Sequence, residues 1–417
     1  MSSETTSSKP PDGGHEGEPV NSTLSESLDM TTPQAGQLLP ADSESTPAIS
    51  IVMPTMNEEE GIRECIERAT NALEELGVTG EIIISDASTD RTPDIAESMG
   101  AIVVEPDKPG YGYAYRYAFD HARGSYIVMG DADTTYDFEE IPKLLELVAY
   151  GDADIVMGSR LEGEIKDGAM PPLHEHIGNP LLTKFLNAFY DAGVSDAHSG
   201  FRVFSQEALE ALELGSDGME FASEMIMDAG AKDLTIEEVP ITYHEREGEA
   251  KLESFHDGWR HVKFMLVNAP GYLFSLPGSI MGAVGVVVMA LSVFNVEVMG
   301  QSIGVHSLIA GSLLTLAGYQ VGSFGFLTDV ASDPIQRPDG VITQWLNEHF
   351  TLERGVLLGL GLFAFGSLTA LGLLYQWAAS GFTTLPSITG DIVAFTAIVL
   401  GLQTMFGAFF AGILIER

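Results

Sequence analysis

The sequence predicts an α/β domain with a mostly parallel sheet, followed by an all-α domain of four transmembrane helices. In the first part of the 417-residue chain, short apolar runs typical of buried strands alternate with amphipathic helical segments. In the second part, four long stretches contain no Asp, Glu, Lys or Arg: residues 264–296, 298–328, 355–390 and 392–415. Each contains an apolar segment about long enough to cross a bilayer.

The composition is strongly acidic, with 60 Asp and Glu against 20 Lys and Arg, a net charge of -40 and a pI near 4.3. Nucleic acid is therefore excluded as an expected partner, because phosphate binding needs a basic surface. In about 1 M salt the Debye length falls to about 3 Å, so the self-repulsion of such a surface is screened. We interpret the composition as that of a halophilic source, and we expect an archaeon. The alternative is an acidic disordered protein, against which the 45% hydrophobic content argues.

Four regions are expected along the chain: a disordered acidic tail over 1–47, an α/β domain over 48–250, an amphipathic interfacial linker over 251–276, and a transmembrane domain over 277–417. The tail is rich in Ser, Thr, Gly, Pro and acids and has no apolar core of a signal peptide. Cys65 is the only cysteine, which excludes an intrachain disulfide and suits a reducing compartment.

In the α/β domain, strands are predicted at 49–53, 81–85, 101–105, 126–130 and 154–158. Helices are predicted at 59–76, after Thr92-Pro93, at 113–123 and at 138–150. In the linker, Phe264, Met265, Tyr272 and Phe274 are expected to face lipid.

The four membrane spans are predicted near 279–294, 303–327, 355–377 and 392–415. Cations precede the first span, lie between the second and third, and end the chain at Arg417, whereas the other two connections contain none. The catalytic domain, the middle connection and the C-terminus are therefore predicted on the cytoplasmic side of the cell membrane.

Two acidic strings, Asp86-Ala-Ser-Thr-Asp90 and Asp131-Ala-Asp133, each follow a predicted strand. The carboxyl ends of neighbouring parallel strands converge on a ligand-binding crevice. An Asp-x-Asp pair there can present oxygens to a divalent cation that holds a diphosphate. A nucleotide-linked substrate is the resulting hypothesis, and the alternative is that both strings are ordinary turns.

These strings belong to an ordered set of motifs: Pro54-Thr-Met-Asn57-Glu58, Asp86-x-Ser88-x-Asp90, Lys108-Pro-Gly-Tyr-Gly112, Asp131-Ala-Asp133, Gly158-Ser-Arg160, Ser195-Asp-Ala-His-Ser-Gly-Phe-Arg202 and Tyr243-His-Glu-Arg246. From Ile49 to about His261 the set resembles the family-2 glycosyltransferases of the GT-A (Rossmann-like) fold, and within them the dolichyl-phosphate mannose and glucose synthases.

The resemblance implies that the chain binds a nucleotide sugar, of GDP-mannose or UDP-glucose type, through Pro54, Asn57, Glu58, Asp86, Ser88, Lys108 and Gly112. It implies Mg²⁺ or Mn²⁺ at Asp131 and Asp133, although Thr135 stands where the family often has a third ligand. The polyprenyl (dolichyl) phosphate acceptor is assigned to Arg202 and Arg246, because guanidinium groups bind phosphate with two donors, and secondarily to the ammonium of Lys251. Asp131, Asp133 and Arg202 are the candidate catalytic residues.

A lipid phosphate is already an anion, so positioning and charge neutralisation should suffice for catalysis, and a single displacement with inversion is expected. A role for Arg160 in phosphate binding is left open, and Asp196 is expected to orient the acceptor or Arg202. Packing is expected for the alternating tyrosines Tyr111, Tyr113, Tyr115 and Tyr117, and contact with the sugar is the alternative.

Two other functions fit parts of the sequence. A processive membrane polysaccharide synthase would carry a Gln-x-x-Arg-Trp string, which this chain lacks. A lipid-linked sugar transporter with a vestigial transferase domain would usually carry ionisable groups in its spans, where only His306 is found. The sequence is compatible with a homo-oligomer.

Overall fold

The computed structural model describes residues 36–190, 192–248, 254–269, 271–298, 301–331 and 352–415. Lys251, one of the residues predicted to bind the acceptor phosphate, lies outside these ranges. The chain divides into two compact units. The first comprises residues up to Pro180, Val194–Ala222 and Leu234–Lys251, and the second comprises Leu181–Gly193, Ser223–Asp233 and the chain from Leu252.

The first unit is built on a seven-stranded sheet in the order β3-β2-β1-β4-β6-β5-β7. The strands are β1 Ile49–Thr55, β2 Gly80–Asp86, β3 Ile102–Val104, β4 Tyr126–Met129, β5 Ile155–Ile165, β6 Arg202–Ser205 and β7 Ile236–Tyr243. Only β6 runs antiparallel to its neighbours β4 and β5. The predicted mostly parallel sheet is therefore confirmed.

The helices outside the long apolar segments are α1 Ile62–Leu76, α2 Thr92–Ser98, α3 Tyr111–Phe119, α4 Ile141–Ala149, α5 Asn179–Tyr190, α6 Gln206–Ala211, α7 Phe221–Ala231 and α8 Ser254–Val267. Helix α1 buries an apolar stripe that includes Ile62, Ile66 and Leu73. It ends at Gly77, whose φ of 68° is favourable for glycine. As predicted, α2 begins at Thr92 with Pro93 in its first turn.

The core of the first unit lies between α1, α4 and the central strands, where Ile51, Ile84, Val128 and Leu144 are fully buried. This core fixes the backbone of β1, β2 and β4. The loops that follow these strands are consequently held by a rigid scaffold.

The predicted disordered tail is too long at its C-terminal end. Leu38 pairs with Gly80 at the edge of β2, and Leu39 is buried. The Arg123 guanidinium donates to the carbonyls of Pro40 and Ser43 at 3.0 and 3.1 Å. Residues from Gly36 onward therefore pack on the catalytic unit, because backbone pairing and an arginine anchor offset their polar composition.

The described part of the second unit contains four helices that are long and apolar enough to cross a membrane, as predicted. They are α9 Leu276–Val293, α10 Val305–Ala331, α11 Leu352–Ala379 and α12 Ile388–Ile415. Helix α9 is preceded by a wide helical turn, Gly271–Ser275, and places Pro277 in its first turn. The Ser312 and Thr396 hydroxyls form a buried hydrogen bond of 2.6 Å between α10 and α12.

One linker residue differs from expectation. Met265 was predicted to face lipid but is fully buried, whereas Tyr272 is 41% exposed. The Tyr272 ring stacks on Phe189 with centroids 4.5 Å apart. The apolar face of this segment is therefore partly used for packing inside the second unit.

Candidate active site

The polar residues predicted from the sequence follow three adjacent strands of the sheet. Asp86 ends β2, Glu58 follows β1, and Asp131 and Asp133 follow β4. Because β2, β1 and β4 are parallel neighbours, their carboxyl ends lie at one edge of the sheet. The structure therefore brings these acids to a common region.

Asp86 is buried and held by hydroxyl groups. Its Oδ1 accepts hydrogen bonds from the Thr55 hydroxyl at 2.6 Å and from the Ser88 hydroxyl at 2.5 Å. The Ser88 hydroxyl also accepts from the backbone N–H of Asn57 at 2.7 Å. Asn57 has a φ of 57°, a conformation in which its amide oxygen accepts from the N–H of Thr89 at 2.8 Å. These hydrogen bonds hold the loop after β1 and the loop after β2 together in one conformation.

The second acidic string forms a tight loop after β4. Asp131 Oδ1 accepts from the hydroxyl of Tyr111 at 2.9 Å, and Asp133 Oδ1 accepts from the N–H of Thr135 at 3.2 Å. Desolvation and the nearby charge of Asp133 raise the pKa of Asp131 to about 6, against the hydrogen bonds from tyrosine hydroxyls and the charge of Arg246, which lower it. The site thus concentrates negative charge that favours a cation.

Arg246 supplies positive charge to this acidic loop. Its Nη2 lies 2.7 Å from Glu58 Oε1, and its Nη1 lies 3.4 Å from Asp133 Oδ2. Backbone hydrogen bonds hold the segment around Arg246 against the acidic loop. The N–H of His244 donates to the Thr135 carbonyl at 2.9 Å, and the N–H of Glu247 donates to the Asp133 carbonyl at 3.2 Å. Arg246 is therefore placed beside the predicted metal ligands.

Arg202 is placed differently from the prediction. Its side chain is fully buried, and its guanidinium donates to the backbone carbonyls of Ser199, Ala197 and Ala222 at 2.9–3.1 Å. Burial lowers its pKa to about 10. In this arrangement Arg202 organises the chain around β6 and is not accessible to a lipid phosphate. The acceptor-binding and catalytic assignments of Arg202 are therefore corrected.

Arg160 forms an ion pair with Asp196, which was expected to orient the acceptor or Arg202. Its Nε and Nη2 donate to Asp196 Oδ2 and Oδ1 at 2.7 and 2.8 Å, so Asp196 orients Arg160 rather than Arg202. The Arg160 guanidinium also lies 5.2 Å from the centroid of the Tyr243 ring. Desolvation acts against the charged form, but the paired Asp196 carboxylate holds the Arg160 pKa well above its ordinary value.

A cavity of about 410 Å³ lies next to this pair in the first unit. It is open to the surface, and both apolar and ionisable side chains line it. Its lining residues are Arg160, Leu161, Gly163, Ile165, Glu175, His176 and Pro180.

The predicted Lys108 and Gly112 have different surroundings. Lys108 is exposed, with its ammonium 5.2 Å from the centroid of the Tyr113 ring. Gly112 is buried, and an added Cβ would lie 2.5 Å from the Ser216 carbonyl oxygen. Glycine is required there for the close approach of two backbones, so its absent side chain has a packing role, and its contact with the donor stays a prediction.

Sequence reasoning missed two residues of this site, Tyr111 and Tyr115. Packing was the role expected of both, with sugar contact as the alternative, but their hydroxyls lie 2.9 and 3.3 Å from Asp131 Oδ1. The spacing of four residues at the start of a helix was the available signal, because it places both rings on one face. The other tyrosines of this run behave as predicted, with the Tyr113 and Tyr117 ring centroids 6.2 Å apart.

The mostly parallel sheet, with acids and an arginine at the carboxyl ends of its central strands, is the α/β architecture of the GT-A glycosyltransferase class. Residues 50–213 match the glycosyl transferase family 2 model, and residues 330–415 match the family 2 C-terminal transmembrane region. The chain belongs to glycosyltransferase family 2. It is a hexosyltransferase with a GT-A domain and a C-terminal membrane region.

Among its relatives is the low-salt glycan biosynthesis hexosyltransferase Agl6 of Haloferax volcanii, 59% identical over 91% of this chain and 92% of the relative. A dolichyl-phosphate hexose transferase of the same organism is 33% identical over 50% of this chain and 89% of the relative. A solved structure of glucosyl-3-phosphoglycerate synthase from Mycobacterium tuberculosis is 21% identical, covers 61% of this chain and 84% of that one, and has a TM-score of 0.46. The Haloferax relatives agree with the halophilic archaeal source that the composition predicts.

Proposed function

We propose that this chain transfers a hexose from a nucleotide sugar to a polyprenyl (dolichyl) phosphate at the cytoplasmic face of the cell membrane. The observation that carries this proposal is the cluster formed by Glu58, Asp133 and Arg246, in a chain that also has four helices apolar enough to cross a membrane. A hexosyltransferase relative at 59% identity and a dolichyl-phosphate hexose transferase relative support the same reaction class.

The donor would bind along the carboxyl ends of β1 and β2. Pro54 is the second-last residue of β1, Asp86 ends the neighbouring β2, and the bonds of Asn57 and Ser88 fix the loops between which a nucleoside would lie. Glu58 is held by Arg246 in a position to accept from ribose hydroxyls. GDP-mannose and UDP-glucose types of donor both suit this arrangement.

Asp131 and Asp133 would hold Mg²⁺ or Mn²⁺. Among the described residues no group of three His, Cys, Asp or Glu side chains forms a complete metal cage. Two carboxylates nonetheless fit these hard cations, which take their remaining ligands from water and phosphate oxygens. The desolvated, mutually repelling charges of this pair are the feature that a cation would stabilise. When bound, the cation would neutralise charge on the diphosphate leaving group.

The chain's own residues then have separate tasks. Arg246, which the sequence assigned to the acceptor phosphate, would instead bind oxygens of the donor's diphosphate, because its guanidinium is held at the acidic loop by Glu58 and Asp133. The cavity beside Arg160 would receive the acceptor phosphate, whose anionic oxygen needs no general base. Attack by that oxygen on the anomeric carbon, opposite the leaving diphosphate, breaks the sugar–phosphate bond and gives inversion.

A panel of labelled nucleotide sugars tests this proposal. Membranes containing the full chain are incubated with each donor and polyprenyl phosphate in high salt with Mg²⁺ or Mn²⁺. A single-sugar lipid phosphate of inverted anomeric configuration is expected. A polymer would support the processive synthase, transport without product would support the transporter, and a retained anomer would contradict the single displacement.

A further inference from the structure

The Asp131 carboxylate is held on one side by two tyrosine hydroxyls. Its Oδ1 accepts from the Tyr111 hydroxyl at 2.9 Å and from the Tyr115 hydroxyl at 3.3 Å. Hydrogen bonds to an ionised acceptor are stronger than those between neutral groups. One oxygen of this carboxylate is therefore committed to the tyrosines.

Helix α3 and its neighbours fix the two hydroxyls in space. The Tyr111 and Tyr115 rings meet edge to face with centroids 5.1 Å apart and an interplanar angle of 79°. Tyr115 is fully buried and stacks on Phe221, with centroids 5.6 Å apart and planes inclined by 4°. Rings packed on two sides cannot follow a moving carboxylate, so they hold Asp131 in one rotamer.

The other oxygen of Asp131 faces a glycine. A Cβ added to Gly200 would lie 3.2 Å from Asp131 Oδ2 and 3.2 Å from the Tyr111 hydroxyl oxygen. The Gly200 N–H donates to the Tyr136 hydroxyl at 2.7 Å, which fixes the backbone at this position. Gly200 thus leaves the narrow space in which Oδ2 can turn toward a ligand.

We propose that Tyr111, assisted by Tyr115, is a positioning residue that orients Asp131 toward the divalent cation in the family's transfer reaction. This inference rests on the metal site of the proposed function. Outer-shell partners of metal ligands fix ligand orientation, and their loss typically weakens metal binding by about 10- to 100-fold. Tyr111 acts through Asp131 and touches neither donor nor acceptor.

Removal of one hydroxyl tests the proposal. Tyr111→Phe keeps the ring and its packing, and Tyr113→Phe is the matched control on the same helix, because its hydroxyl bonds Asp107 at the surface. Binding of Mn²⁺ to the full-length protein is measured by paramagnetic resonance of free Mn²⁺, with UDP or GDP present. We expect about tenfold weaker Mn²⁺ binding for Tyr111→Phe, no change for Tyr113→Phe, and a matching rise in the Mn²⁺ concentration needed for transfer.

Three further variants separate the outcomes. Tyr115→Phe, which removes the longer hydrogen bond, should weaken Mn²⁺ binding less than Tyr111→Phe, and Gly200→Ala should weaken it by crowding Oδ2. Unchanged Mn²⁺ binding in Tyr111→Phe and Gly200→Ala, with binding lost in Asp133→Asn, overturns the positioning role alone. Unchanged binding in Asp133→Asn overturns the metal site, and with it this part of the proposed function.

Discussion

The guanidinium of Arg246 donates to the Glu58 carboxylate, with Nη2 2.7 Å from Oε1, across 188 residues of sequence. Its other terminal nitrogen faces Asp133 at 3.4 Å. This arginine thereby joins the loop after β1 to the loop after β4. In the family's reaction the same charge is available to a diphosphate placed between those loops.

Replacement of Arg246 should affect turnover more than donor binding. We expect Arg246→Ala to lower kcat by about 100-fold, because one charged donor to the developing diphosphate is lost. Arg246→Lys should recover part of this loss, since it restores the charge without the fork of donors. Steady-state transfer kinetics measure both, and Arg91→Ala, at an exposed ion pair with Glu59, is the control. Wild-type kcat in Arg246→Ala would contradict this role.

Arg160 should govern affinity for the lipid acceptor. Arg160→Lys keeps a charge but cannot pair with both oxygens of Asp196, so the cation moves away from the cavity. We expect the KM for polyprenyl phosphate to rise by about tenfold while the KM for the nucleotide sugar stays constant. A rise confined to the donor KM would place Arg160 on the donor side instead. Separate titrations of the two substrates distinguish these results.

The anchored segment before β1 should contribute to stability. Arg123 pairs with Glu81, whose side chain is fully buried, with Nη2 2.6 Å from Oε2. Arg123→Ala leaves that carboxylate without its cation and should cost about 3 kcal/mol of unfolding free energy. Arg91→Ala, whose pair is exposed, should cost less than about 1 kcal/mol. Urea unfolding at constant high salt measures both, and equal losses would show that burial of Glu81 does not set the cost.

Cysteine labelling can measure the membrane orientation, because the single native cysteine is expected not to react in the folded protein. Burial raises the pKa of the Cys65 thiol to about 12, so it stays protonated and inaccessible at pH 7–8 and should not react in the native state. A cysteine placed at Thr383, between α11 and α12, should be labelled from outside intact cells by an impermeant maleimide, because the predicted topology exposes that connection.

One outcome would contradict the expected unreactivity of Cys65, and another would contradict the predicted topology. Labelling of the parent chain before denaturation would show that Cys65 is accessible. Labelling of Thr383→Cys only after the cells are broken would place the catalytic unit outside the cytoplasm.

Much of the fold was predictable because buried parallel strands consist of short, continuous runs of apolar residues in the sequence. The strands β1, β2 and β4 and the four apolar helices were placed to within a few residues. The strands β6 and β7 were missed. The first has four residues, and the second carries Pro240, which an edge strand tolerates but which a sequence pattern counts against a strand.

The site was predictable in its acids but less so in its partners. Asp86, Asp131 and Asp133 could be predicted because each lies at or just after the end of an apolar run that predicts a strand. Their hydrogen-bond partners depend on tertiary packing and could not be predicted. Arg202 follows a motif that favours phosphate binding, yet antiparallel pairing of β6 turns it into the interior. Tyr111 reaches Asp131 because tertiary packing brings the start of α3 to the loop after β4, and no local sequence pattern predicts that approach.

The most direct test of the account is the transfer of labelled hexose to polyprenyl phosphate by the wild-type chain and by Asp133→Asn at equal protein levels. Thr383→Ser, far from the acids in sequence, is the control. The account predicts a single-sugar lipid phosphate from the wild type and the control, dependent on Mg²⁺ or Mn²⁺, and none from Asp133→Asn. Undiminished product from Asp133→Asn would contradict the assignment of these carboxylates to the reaction.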